Sequence, residues 1–79
     1  MKIDARAVGR ELKALRIKSD LDIDYITKEV GINVKSLYSY ENDASKMQYK
    51  TLEKLLEVYK ITPDIFFKMI SEYFHNIGE

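Results

Sequence analysis

Between Asn33 and Asn42 the chain reads Asn-Val-Lys-Ser-Leu-Tyr-Ser-Tyr-Glu-Asn, a stretch that concentrates groups able to make specific contacts. Wound as a helix at about 100° per residue, Val34, Lys35, Tyr38, Ser39 and Asn42 fall within an arc of about 140°. Leu37 and Tyr40 point the other way. The outward set combines an ammonium donor, a hydroxyl that donates and accepts, a phenol and a branched aliphatic group. A duplex major groove offers matching partners. Lysine can donate to guanine O6 and N7, serine can pair with several base edges, and valine can meet a thymine methyl. Tyrosine can reach a base or a phosphate. Taken alone, the same set also describes an ordinary solvated helix face, and both readings stand at this point.

No comparable set supports catalysis. His75 is the single histidine, on the polar side of its helix, and there is no cysteine to join it in a metal site. Ser19, Ser36, Ser45 and Ser71 read as loop, helix and capping residues rather than nucleophiles. No glycine-rich loop suits a nucleotide. The expectation is a protein that is not an enzyme and uses no cofactor or metal.

The elements that must carry the outward set follow from composition and spacing. Seventy-nine residues leave room for one domain, spanning 1–79, and the absence of cysteine rules out disulfide staples. No run approaches the roughly 18 apolar residues of a membrane span. The first residues lack the apolar stretch of a secretory signal, so a cytoplasmic location is expected, with no membrane partner. Thirteen basic and thirteen acidic side chains cancel, yet their distribution is uneven. Residues 1–18 carry six basic and two acidic groups, whereas residues 19–32 carry one and four. The N-terminal segment is therefore a cationic surface on a neutral chain.

Apolar spacing is helical throughout. Asp4 caps a first helix running to about Ile17, with Val8, Leu12 and Leu15 as its inner stripe. Asp22 caps a second, in which Ile23, Ile26 and Val30 face inward and Gly31 closes the C-terminus. Asn33 caps a third, Val34 to Glu41. A helix, a tight glycine turn and a short second helix make a helix-turn-helix signature over residues 23–41. Asn42 to Lys46 reads as a polar loop. Leu52, Leu55, Leu56 and Tyr59 mark a fourth helix. Thr62, Pro63 and Asp64 open a fifth, covering residues 63–76.

In their order and spacing these residues resemble the lambda-repressor-like, or Xre/Cro-type, helix-turn-helix family. The resemblance runs from about Val8 to Phe67. It is carried by Leu15-Arg16, Leu21-Asp22, Ile26-Thr27, Val30-Gly31-Ile32, Leu37, Tyr40-Glu41-Asn42, Thr51-Leu52, Ile61-Thr62-Pro63-Asp64 and Phe66-Phe67. It implies an all-α, five-helix domain: a four-helix core at about 5–62, followed by an apolar C-terminal helix. It also implies that the third helix enters the major groove of double-stranded DNA. Val34, Lys35, Tyr38 and Ser39 then become the base-reading candidates. Asn33, Asn42, Lys46, Lys50, Lys13 and Arg10 become the candidates for the DNA backbone, where contacts orient the protein without reading sequence. Arg16 and Glu41 match the family's structural ion pair. The chain departs from the family in four places: Ile23 replaces the usual glutamine that touches the DNA backbone, Thr27 replaces alanine, Asp43 replaces glycine and Met47 replaces proline.

The fifth helix carries more apolar surface than one small core needs. Ile65, Phe66, Phe67, Met69, Ile70, Tyr73, Phe74 and Ile77 cover an arc of about 200°, against the 100° or slightly more that a single packed face requires. Phe66 and Phe67 are assigned to the chain's own core. Ile70, Tyr73, Phe74 and Ile77 are assigned to an interface with a second copy. The resulting expectation is a dimeric, sequence-specific transcriptional regulator of bacterial, phage or plasmid type, a repressor reading a palindromic operator, with protein concentration or a protein or peptide partner as its control. The alternative is a protein-interaction module, such as an antirepressor, antitoxin-like partner or conjugation regulator, that keeps the fold without binding DNA strongly. Neutral net charge, Ile23 and the acidic residues around the second helix motivate it.

Overall fold

The computed structural model describes residues 4–78, with side chains described for residues 4–71. Among these residues there are five α-helices and no strand. They are α1 (Ala5–Ser19), α2 (Ile23–Val30), α3 (Val34–Asn42), α4 (Tyr49–Val58) and α5 (Pro63–Gly78), with a 3-10 turn at Ala44–Lys46 between α3 and α4.

Short polar side chains set the helix starts by satisfying backbone N–H groups that have no partner within the helix. Asp4 accepts from the Arg6 amide at 2.8 Å, and Asp22 accepts from the Asp24 amide at 3.0 Å. Asn33 accepts from the Ser36 amide at 2.7 Å, and the Thr62 hydroxyl accepts from the Ile65 amide at 3.3 Å. Gly31 ends α2 with φ of 85°, a left-handed conformation in which its amide donates to the Thr27 carbonyl at 2.8 Å. That reversal sends the chain from α2 into α3 after only two further residues.

Leu12, Ile26, Leu37, Leu55, Leu56 and Phe66 are fully buried, one or more from every helix. The core therefore joins all five elements, α1 packing on α3, α2 on α4, and α5 on α1 and α4. Phe66 meets Phe67 edge to face, with ring centroids 5.3 Å apart.

The structure differs from the sequence expectation at several ends. Helix α1 continues to Ser19, α3 includes Asn42, and α5 runs to Gly78. The segment expected as a polar loop contains the 3-10 turn, because Asp43 caps it through the Ser45 amide and Ala44 is buried as a small anchor. Ile70 requires a correction. It is only 2% exposed and belongs to the chain's own core, since it lies four residues after Phe66 on the same face of α5. Among the described side chains of α5, the large apolar groups that stand exposed are Ile65 and Met69, at 51% and 36%. The side chains of Tyr73, Phe74 and Ile77 lie outside the described residues.

Candidate nucleic-acid interface

Helix α3 is held by its inner residues. Leu37 is buried in the core, and Gly9 of α1 lets the two backbones meet. A Cβ at Gly9 would lie 2.5 Å from the Glu41 carbonyl oxygen and 2.6 Å from that of Tyr40. A glycine inside a helix costs about 1 kcal/mol relative to alanine, so its presence here answers a packing need. Sequence reasoning passed over Gly9. Its signal is its place beside Val8 in an otherwise regular helical stripe.

On the outer side, Lys35, Tyr38 and Ser39 are exposed and Val34 is half-buried at the first turn. Asn33 uses its carbonyl oxygen to cap the helix, which leaves its amide donors for another partner. The four base-reading candidates thus share one end-to-middle strip of α3.

Arg16 of α1 reaches across to the last turn of α3. Its Nε donates to Glu41 Oε2 at 2.7 Å and its Nη2 donates to Oε1 at 3.1 Å, a two-point fork. The side chains are 18% and 4% exposed. The hydrogen bond to Glu41 raises the Arg16 pKa further above its ordinary value. The guanidinium also lies 5.6 Å from the centre of the Tyr38 ring. Tyr59 packs beside this pair. Burial, and then the Glu41 charge, push its phenol up to about 12, and its hydroxyl is buried without a hydrogen-bond partner among the described residues.

A cleft of about 660 Å³ opens between α1 and the C-terminal part of α3. Arg6, Arg10 and Lys13 line its α1 wall at i, i+4 and i+7, and Tyr38 and Asn42 line the α3 wall. Arg10, Lys13 and Asn42 are thereby brought together. Arg6 joins them as a cation that sequence reasoning left out, although its spacing from Arg10 and Lys13 carries the signal. Asp43 closes one end of the cleft. Hydrogen bonds from Ser45, helped by the nearby Arg6 and Lys46 charges, hold its carboxyl below the usual carboxylate range. Lys46 and Lys50 are exposed farther along, in the 3-10 turn and the first turn of α4.

The start of α2 is chemically different. Ile23 is half-buried and packs against the core, so it presents no donor. The N-terminal Asp24 amide is already engaged by the Asp22 carboxylate. An anion arriving there would meet the Asp22 and Asp24 carboxylates, which oppose it.

Residues 12–66 match the family model described as helix-turn-helix. The chain belongs to the helix-turn-helix family. The match takes in α2, the Gly31 turn and α3 whole, and it supports a DNA-binding transcription regulator. Among solved structures, the chain is similar to the crystal structure of a point mutant of the restriction-modification controller protein C.Esp1396I. The TM-score is 0.83, with 13% sequence identity over 95% of this chain and 97% of that one. At that identity the likeness is one of fold. No curated protein matches the chain. In this helix-turn-helix chain α3 occupies the place of the second helix of the motif, and its exposed strip is the candidate reading surface.

Proposed function

We propose that this protein is a sequence-specific DNA-binding transcriptional regulator acting as a homodimer, with a repressor role at a roughly palindromic operator. The observation that carries the reading is the exposed strip of Lys35, Tyr38 and Ser39 on α3, flanked by the cationic α1 wall of the cleft. With α3 in the major groove, Lys35 and Ser39 meet base edges, Val34 meets a thymine methyl, and Tyr38 reaches a base or a phosphate. Arg10, Lys13, Asn42, Lys46 and Lys50 grip the backbone, joined by Arg6, and Asn33 adds its amide at the N-terminal end of α3. Two copies would read half-sites about 34–36 Å apart, or a multiple of that. The exposed Ile65 and Met69 begin the α5 face proposed to join them, and Tyr73, Phe74 and Ile77 extend it in sequence. Control falls to protein concentration, or to a protein or peptide partner competing for that face.

A second reading rests on the start of α2. The side chains of Ile23, Asp22 and Asp24 offer no donor to a phosphate, which favours a protein-interaction module that keeps the fold without strong DNA affinity. Titration of labelled duplex DNA separates the two. The first reading expects binding that weakens steeply with salt and is lost in the double variant Lys35→Ala, Tyr38→Ala. Absence of binding even at about 50 mM salt supports the second.

A further inference from the structure

Tyr38 is half exposed, at 50%, on the solvent side of a helix. A tyrosine ring so placed would sample several rotamers, and fixing it at the moment of binding costs affinity. An arginine of α1 restrains it here. The Arg16 guanidinium lies 5.6 Å from the ring centre, within range for attraction between a cation and an aromatic face. The guanidinium is itself fixed, because Glu41 takes two of its N–H groups in one plane. Glu41 and Tyr38 lie three residues apart on α3, and Arg16 bridges them from α1. Glu41 neutralises most of the Arg16 charge, so the bridge adds little attraction for phosphate.

We infer that Arg16 is a positioning residue for DNA recognition: clamped by Glu41, it holds the Tyr38 ring in the orientation that meets the duplex. This role rests on Tyr38 being a DNA-contacting side chain, as proposed above. Lysine cannot replace arginine in it. A point charge on a flexible stem neither forks onto both Glu41 oxygens nor lays a flat cation beside the ring.

A double-mutant cycle reads the coupling, with Arg16→Lys and Tyr38→Leu made singly and together. The probe is the duplex that the parent protein enriches from a random pool. Arg16→Lys is expected to weaken binding roughly two- to fivefold when Tyr38 is present. It is expected to have no effect in the Tyr38→Leu background. An equal loss in both backgrounds overturns the inference, because Arg16 then acts on DNA directly or through the fold. Parent-like binding by Tyr38→Leu alone instead removes the DNA role of Tyr38 and the positioning role with it. Should Arg16→Lys fold poorly, the Arg16 Nε–H resonance is compared in the parent and in Tyr38→Leu. A ring-current shift that disappears on substitution supports the placement, and an unchanged resonance overturns it.

Discussion

Gly9 and Glu41 touch through their backbones: a Cβ on Gly9 would come within 2.5 Å of the Glu41 carbonyl oxygen. That approach sets how deeply α3 seats against α1, and so how far its outer strip stands from the cationic wall. Gly9→Ala is expected to destabilise the protein by about 1–3 kcal/mol, outweighing alanine's intrinsic helix preference of about 1 kcal/mol. Urea unfolding measures it. A neutral or stabilising result would mean that the two helices can separate freely.

The ion pair of Arg16 with Glu41 is nearly dry on the Glu41 side. Arg16→Ala leaves the buried Glu41 carboxylate without its guanidinium and should cost about 3–5 kcal/mol. Chemical denaturation at neutral pH is the check. A loss below about 1 kcal/mol would class the pair with ordinary surface bridges.

Tyr59 gives a pH-dependent prediction. Its phenol titrates near 12 in the folded protein, against an ordinary value of 10.0. Between those values the unfolded chain has released the proton and the folded chain retains it. Stability therefore falls as pH rises through that window. Tyr59→Phe should flatten this fall relative to the parent. At neutral pH the same substitution should be neutral to slightly stabilising, since the buried hydroxyl has no hydrogen-bond partner among the described residues. Thermal unfolding of both proteins across the window tests the two parts together.

Helix α5 separates the core from the proposed interface. Ile70→Ala should cost about 2–5 kcal/mol by opening a cavity in the chain's own core. Met69→Glu should leave the fold intact and shift the protein from dimer to monomer. Sedimentation of the parent and Met69→Glu decides the second part, and two monomers, or two equally stable dimers, would count against the proposed face.

Helix starts are legible in the sequence because a cap acts over two or three residues, as Asp4, Asp22, Asn33 and Thr62 each do. The inner stripes of α2 and α4 are legible for a similar reason, since one helix face needs only its own periodicity. What crosses between elements is harder to read. Gly9 matters through the α3 carbonyls, Arg6 through a cleft shared with Tyr38 and Asn42, and Arg16 through the Tyr38 ring. Ile70 was the clearest failure of the wheel. An arc of 200° shows that a helix is over-supplied with apolar groups, but not which of them its own core takes.

The most direct test of base reading by α3 is selection of bound duplexes from a random-sequence pool, run in parallel with the parent and with Lys35→Ala. The expected result is a two-fold-symmetric consensus for the parent and relaxed preference at one base pair per half-site for Lys35→Ala. An identical consensus for both proteins, or no enrichment with either, would contradict it.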